Sequence, residues 1–361
     1  MGKARIGLVF GGRSVEHEVS VTSARAVAQG LEAAGYEVVP LGIGPDGGWL
    51  APDRARPALA GEAPALPEAG GPIAPTLRHL LDSGVDAAFP LVHGTWGEDG
   101  TLQGLLEMAG LPYVGAGVTA SAIAMDKLQT KRVLEAAGVP VVEFRAVSAV
   151  RFDADPKAFL DSCADLPLPL FVKPSVGGSS VGVQKVRGAG ELEGAVRTAL
   201  RFDQQVLVER GVSGRELEVS VLGLHELEAS RVGEIVPGAD FYDYADKYLS
   251  DAAQLIAPAE LPDGIEDRIR RLAVEAFAAI GGAGMARVDF LLDGERAFVN
   301  EINTVPGFTR ISMYPRLWAI SGVPLPELVT RLVEIALQRH RERQGLDAGI
   351  KGFLAQLRER A

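Results

Sequence analysis

Residues 285–309 read MARVDFLLDGERAFVNEINTVPGFT, and their alternation constrains the chain more than any other stretch. Val288 and Phe290 alternate with Arg287 and Asp289. After Asp293-Gly294, Phe298 and Ile302 alternate with Val299, Glu301 and Asn303. Period two on both sides of a glycine turn predicts a β-hairpin. A three-residue loop over 293–295 pairs Leu292 with Arg296 and sets Arg287 opposite Glu301. Arg287, Asp289, Glu301 and Asn303 then share one face, and Val288, Phe290, Phe298 and Ile302 line the other. Two carboxylates, an amide and a guanidinium on one face form a platform for Mg²⁺ and phosphate. Mg²⁺ takes oxygen ligands at about 2.0–2.1 Å and shares its shell with substrate phosphates. A solvated strand face would also be polar. Here the carboxylates cluster at the strand ends, followed at once by Thr304-Val305-Pro306-Gly307.

A second stretch, Phe171 to Val183, reads FVKPSVGGSSVGV. It predicts a strand, a Gly/Ser-rich turn and a strand. Gly177 and Gly178 let backbone amides approach a ligand closely, and successive exposed amides form an anion nest. The two serines add donors and Lys173 adds a point charge. Taken alone, such a loop is more often an ordinary turn. It is neither a Walker A sequence nor a helix start, which excludes a P-loop.

The 361 residues exceed what one core holds, so two or three domains are expected. A net charge of −11 argues against a nucleic-acid partner. The one cysteine, Cys163, forms no internal disulfide and fits a reducing compartment. No apolar run reaches membrane-span length, and the MGKARIGLVFGG start predicts a first strand, not a signal peptide. A cytoplasmic protein is the expectation.

From the start, Arg5 to Phe10, a helix to about Ala34 and Tyr36 to Leu41 open a parallel βαβ sheet. Ligands sit beyond the carboxyl ends of such strands, where Glu16 and His17 fall. Helix N-terminal charge balance explains Glu16 equally well. Gly44 to Pro75 is expected to be a surface loop or small flap, with a short strand near Trp49. Asp86 to Val92 predicts a strand running into His93-Gly94 and Glu98-Asp99-Gly100; a lone histidine there is more often structural than a ligand contact. Gly115-Ala-Gly-Val-Thr-Ala120 after a strand is a weak dinucleotide fingerprint, which keeps a dinucleotide-binding oxidoreductase or nucleotide sensor open.

Asp126 to Gly138 predicts a helix whose start marks a change of domain. Strands over 141–147, 170–172, 181–186 and 206–209 make a small α+β unit. Glu216 to Leu222 opens a third. Asp240 to Gln254 is aromatic and charged without period, as lids and binding loops are, with Lys247 and Tyr248 its candidates. Helices over 266–280 and 326–343 follow, and the charged tail from Gln344, for which a helix stays open, shows no chemistry. The expected units are 1–120, 121–211 and 212–361, with a lid near 236–256.

The order Lys127, Lys173-Pro-Ser-Val-Gly-Gly-Ser-Ser-Val-Gly, Glu209, Glu216, Arg287-Val-Asp289, Glu301-Ile-Asn303 resembles the ATP-grasp superfamily. Within it the chain is similar to D-alanine:D-alanine ligases. That likeness rests on Gly11-Gly12 with Glu16-His-Glu-Val-Ser20, His93-Gly94 through Gly100, Met125-Asp-Lys127, Tyr242-Asp-Tyr244 with Lys247-Tyr-Leu-Ser-Asp251, and Asn303-Thr-Val-Pro-Gly307. It spans residues 5 to about 330.

The resemblance implies a three-domain α/β and α+β ATP-grasp architecture with an N-terminal parallel α/β domain. It implies ligation of two D-alanines through an acylphosphate for peptidoglycan precursors, with ATP and two Mg²⁺ or Mn²⁺ ions. A cytoplasmic homodimer without nucleic-acid or membrane partners is implied too. By resemblance, Lys127, Lys173 and Lys247 meet the nucleotide, with Glu209 and Glu216 at adenine and ribose. Asp289, Glu301 and Asn303 hold metal. Glu16 binds the first ammonium, with His93 near its carboxylate. Ser312 and the Met313 amide hold the second carboxylate. Arg287 and the Gly307 amide stabilise the oxyanion, and Glu16, Ser179 and Tyr248 close the lid. Tyr248 favours the dipeptide over a D-lactate ester. A different acid or amine pair stays open as an alternative.

Overall fold

The computed structural model describes residues 4–70, 73–236 and 254–360. Three sheets organise it. The first is parallel, in the order β2-β1-β3, from β1 (Arg5–Gly11), β2 (Glu37–Ile43) and β3 (Ala87–Pro90). Every residue of β1 from Ile6 on is buried, as expected of a parallel strand covered on both faces. Helices α1 (His17–Ala33), α2 (Pro52–Leu59), α3 (Ile73–Leu81) and α4 (Thr101–Met108) complete this unit. Gly44 to Pro75 is more than a surface loop. It contains α2, and Trp49, Leu50 and Leu66 are buried, so the segment is part of the core.

Helices α5 (Val118–Met125) and α6 (Lys127–Ala136) follow. They bury Ala120, Ala124 and Leu134 in the core of the last sheet. Gly115-Ala-Gly does not open toward a dinucleotide. A Cβ at Gly284 would stand 2.8 Å from the Gly115 carbonyl oxygen, so the backbone approach there is strand against loop.

The second sheet is antiparallel, in the order β4-β7-β5-β6, from β4 (Phe144–Ser148), β5 (Leu170–Pro174), β6 (Gln184–Val186) and β7 (Gln205–Arg210). Helices α7 (Ala149–Ala154), α8 (Pro156–Ser162) and α9 (Leu192–Ala199) accompany it. The expected strands over 141–147 and 181–186 are shorter, because Val141 bridges to Val299 of the last sheet before the ladder begins at Phe144, and the Gly/Ser loop delays pairing to Gln184.

The third sheet runs β10-β9-β8-β11-β12, from β8 (Arg215–Gly223), β9 (Leu227–Val236), β10 (Gln254–Ile256), β11 (Gly284–Asp293) and β12 (Arg296–Asn303). Helices α10 (Ile265–Ala279), α11 (Met313–Ile320) and α12 (Leu325–Arg360) follow. The last is longer than expected and runs through the charged tail. Phe308, Tyr314, Trp318, Leu328 and Leu332 bury against Phe10, Leu31 and Phe89, so one core joins the first unit to the chain's end.

The β11–β12 hairpin forms, with a different register. Asp293 pairs with Arg296 across a two-residue turn, and the ladder slips between Asp289 and Phe290. Arg287 therefore faces Asn303, and Asp289 faces Glu301. The extra residue, Asn300, is a β-bulge, which turns Val299 into the core and Phe298 out of it. The expected polar face survives on the distal side of the bulge; the apolar assignment of Phe298 does not.

Candidate functional site

A cavity of about 820 Å³ lies where the three sheets meet. Glu16, His93, Lys127, Ser179, Arg287, Glu301, Asn303, Gly307, Ser312 and Met313 all line it. Lys173, Glu209, Glu216 and Asp289 are not among the residues that line it. Lys247 and Tyr248 lie outside the described residues.

Glu16 ends the loop that follows β1 and occupies the N-cap position of α1, where its side chain makes no cap bond. The Ser179 hydroxyl donates to its carboxylate over 2.7 Å, joining the Gly/Ser loop to the first unit. Ser179 and Ser180 both adopt positive φ, at 51° and 58°, so the loop is held in a turn that favours glycine. Lys127 fastens its other side by donating to the Gly177 carbonyl oxygen at 2.6 Å. That lysine is placed by the α6 N-cap, where the Asp126 carboxylate accepts from the amides of Leu128 and Gln129.

His93 closes β3. Its Nδ1 is 2.9 Å from the Val305 carbonyl oxygen, so Nδ1 carries the proton and Nε2 accepts from Ser23 Oγ, 3.4 Å away. Ser23 in turn accepts the Phe308 amide at 3.0 Å. Burial lowers the His93 pKa against the pull of Glu16, which keeps this relay neutral. Glu98, in the same loop, accepts the Gly94 amide at 2.6 Å. Its carboxyl, part-exposed at the cavity wall, is pushed up to about 8 by desolvation and by the charge of Glu16.

Across the third sheet three carboxylates form a row. β8 sets Glu218 beside Asp289, and β12 sets Glu301 on its other side. Arg287 binds Asp289 through both oxygens, at 2.7 and 2.6 Å, and reaches Glu218 at 3.2 Å. Burial works against the guanidinium's charge, but these two carboxylates outweigh it and hold its pKa well above the ordinary value. Asn303 Oδ1 accepts the Val305 amide at 3.1 Å.

Among the described residues no three His, Cys, Asp or Glu side chains converge into a ready-made cage. The row nonetheless suits Mg²⁺ or Mn²⁺, which need only one or two carboxylates when substrate phosphates complete the shell.

Behind the Gly/Ser loop, Glu209 lies between two lysines, Lys131 at 3.2 Å and Lys173 at 2.9 Å. Burial raises the Glu209 carboxyl, but the lysines outweigh it and hold it at about 2. The same Glu209 charge keeps Lys173 above its ordinary value despite burial. For Lys131 burial prevails and its pKa falls. Lys173 also reaches Asn300 Oδ1 at 3.3 Å, across to the third sheet.

Lys131, Glu98 and Glu218 were not among the expected site residues. Lys131 follows Lys127 by one helical turn, and Glu218 follows Glu216 by one strand period, so their spacing carried a signal.

At the far wall, a Cβ on Gly307 would stand 2.7 Å from Ser312 Oγ. The Ser312 hydroxyl turns to Thr309, accepting its amide at 3.0 Å, and leaves the first turn of α11 without a side-chain cap. Uncapped amides at a helix start suit a carboxylate.

Two family models cover most of the chain: D-ala D-ala ligase N-terminus over residues 5–116, and D-ala D-ala ligase C-terminus over residues 133–334. The chain belongs to the D-alanine:D-alanine ligase family. It is 46% identical to the D-alanine--D-alanine ligase of Solibacter usitatus over 95% of this chain and 98% of that one. It is 47% identical to that of Mycolicibacterium smegmatis, over 94% and 96%. Among solved structures, the D-alanine-D-alanine ligase from Coxiella burnetii superposes with a TM-score of 0.82 at 38% identity, covering 99% of this chain and 100% of that one. The VanG D-Ala:D-Ser ligase from Enterococcus faecalis gives 0.78 at 32%, covering 92% and 99%. Family membership leaves the dinucleotide reading without support.

Proposed function

We infer that the protein is an ATP-dependent ligase joining two D-alanines for peptidoglycan precursors. The observation that carries this reading is the cavity itself. It has the Glu16 carboxylate on one wall and uncapped helix amides at Met313 on another, with Arg287 and Glu301 lining it too.

In the first step a carboxylate oxygen of the first D-alanine attacks the γ-phosphorus of ATP, and ADP leaves. Glu16 holds the ammonium of that alanine, with His93 near its carboxylate. Lys127, Lys173 and Lys247 offset the phosphate charge, and Glu209 and Glu216 serve adenine and ribose. Asp289, Glu301 and Asn303 would hold the divalent ions, which supply charge neutralisation on the phosphates.

In the second step the neutral amine of the second D-alanine attacks the acyl carbon. Ser312 and the Met313 amide fix its carboxylate. Arg287 and the Gly307 amide receive the oxyanion, which collapses as inorganic phosphate leaves and takes up the proton that the attacking amine gives up. Glu16, Ser179 and Tyr248 close the site so that water does not hydrolyse the acylphosphate. No described helix is long and apolar enough to cross a membrane. A cytoplasmic homodimer fits the family.

Phosphate release from Mg-ATP with D-alanine, L-alanine, and D-alanine with D-serine or D-lactate tests the reading, with products separated by mass. D-alanyl-D-alanine from the D-isomer alone is expected. A mixed product instead would retain the mechanism and replace the second substrate. No D-alanine-dependent phosphate would overturn the function.

A further inference from the structure

Three successive residues of β12 reach the unit built on the second sheet. The Arg210 guanidinium lies over the Phe298 ring at 5.2 Å. The Val299 amide donates to the Pro140 carbonyl oxygen at 2.9 Å. Asn300 Oδ1 accepts from Lys173 Nζ at 3.3 Å. Asn300 is the residue that the bulge adds, and the β11 register gives it no partner. An unbroken strand would turn Asn300 and Glu301 to opposite faces. The bulge sets both on the outer face, between the buried Val299 and Ile302. Glu301 there lines the cavity, while Asn300 holds Lys173.

A lysine ammonium carries three N–H donors on a flexible four-carbon stem. Glu209 takes one of them at 2.9 Å from the lysine's own sheet, and Asn300 takes a second from the facing sheet. Acceptors on two sheets fix the ammonium where one alone would let it swing, and the third N–H is left for a ligand oxygen. Glu209 keeps Lys131 and Lys173 whether or not Asn300 is there. Phe298 and Val299 join the two sheets without it as well. The amide at 300 is therefore not what docks the sheets. What it adds is the place of one cation.

We propose that Asn300 is a positioning residue for the nucleotide: its amide oxygen fixes the Lys173 ammonium relative to Glu301, so that one bulge sets the spacing between a phosphate-binding cation and a metal-binding carboxylate. The proposal rests on the reading that Lys173 meets ATP and Glu301 a divalent ion.

The test is calorimetric titration of the full-length protein with Mg-ATP in the absence of D-alanine, beside steady-state kinetics and urea unfolding. Two variants accompany the wild type. Asn300→Leu keeps the size and branching but has no acceptor; Asn300→Asp keeps an acceptor oxygen. In Asn300→Leu the Kd and KM of Mg-ATP are expected to rise about tenfold, as for loss of one hydrogen bond to a charged group. The D-alanine KM and the urea midpoint should stay at wild-type values, with kcat at saturating Mg-ATP lowered less than about threefold. Asn300→Asp should remain within about threefold of the wild type in each of these. Mg-ATP binding that is unchanged in Asn300→Leu overturns the proposal. So does an Asn300→Asp that binds as weakly as Asn300→Leu, which would deny the acceptor its role. A urea midpoint that falls together with Mg-ATP binding overturns it too, by making Asn300 a structural residue. Wild-type protein that binds no Mg-ATP overturns the underlying reading and the proposal with it.

Discussion

The Ser179 hydroxyl and the Glu16 carboxylate meet at 2.7 Å although 163 positions separate them. The bond locks the Gly/Ser loop against the residue expected to hold the first substrate. A hydrogen bond to a charged group contributes about 1.5–3 kcal/mol. Ser179→Ala is therefore expected to lower kcat/KM for D-alanine by roughly 10- to 100-fold. Steady-state kinetics at saturating ATP measure it; unaltered kinetics would mean that closure does not depend on this bond.

Lys131 and Lys173 share Glu209, and removing one cation leaves a buried carboxylate half-compensated. Breaking a buried ion pair destabilises by about 3–5 kcal/mol, and with Lys173 retained the lower end is expected for Lys131→Met. Urea unfolding at pH 7 checks this. The ATP KM should rise while the D-alanine KM holds, since Glu209, which positions Lys173, then keeps only one of its two cations.

The pH dependence of that cluster follows from its sign. The folded Glu209 carboxyl sits at about 2, below its ordinary value of 4.5. The folded state thus binds fewer protons than the unfolded one. The stabilisation, roughly 3 kcal/mol, is present above about pH 4.5 and is lost as pH falls toward 2. Glu209→Gln should flatten that limb of the stability profile; a wild-type steepness retained in the variant would assign it to other carboxylates.

How much of this was legible from sequence depends on which interaction decides each feature. Period two exposed the polar face of the β11–β12 hairpin, because side-chain direction is local. The register was not legible, since the bulge at Asn300 answers to pairing with β11, and with it Phe298 changed sides. Glu16 and Gly307 entered as site candidates mainly through motif resemblance, and Arg287 through the shared strand face as well. Lys131 was missed because a lysine on a helix ordinarily faces water; its spacing from Lys127 put the two on one face, but the fold was needed to set Glu209 opposite. Trp49 and Leu66 were read as surface because the Gly/Pro-rich composition around them resembles a loop.

Glu98 gives an opposite pH signature. Desolvation and the Glu16 charge raise its folded pKa to about 8 from an ordinary 4.5. Here the folded state binds the extra proton. Its contribution to stability is full below about pH 4.5 and is lost as pH rises through 8. The urea midpoint of the wild type should fall more between pH 6 and 9 than that of Glu98→Gln. Equal slopes would show that the open side of the cavity wall solvates this carboxyl enough to ionise it normally.

Gly307 and Ser312 lie too close for a methyl group between them. A Cβ at Gly307 would sit 2.7 Å from Ser312 Oγ, and that hydroxyl is already committed to the Thr309 amide and hydroxyl, at 3.0 and 2.9 Å. In Gly307→Ala the Ser312 side chain has to rotate away, which frees the Thr309 amide and disturbs the start of α11. Loss of one such bond is worth about 0.5–1.5 kcal/mol, and a displaced oxyanion donor costs about 2.7–4 kcal/mol more in the transition state. A fall in kcat of roughly 10²- to 10³-fold is therefore expected, with ATP binding unchanged because Lys127, at the Gly177 carbonyl, and Lys173, at Glu209, make none of the contacts that change. Ser312→Ala separates the two effects: it removes the hydroxyl but leaves the Gly307 amide in place. It should raise the KM of the second D-alanine with a smaller loss of kcat. If both variants lose kcat equally, the Ser312 hydroxyl, and not the Gly307 amide, governs the step.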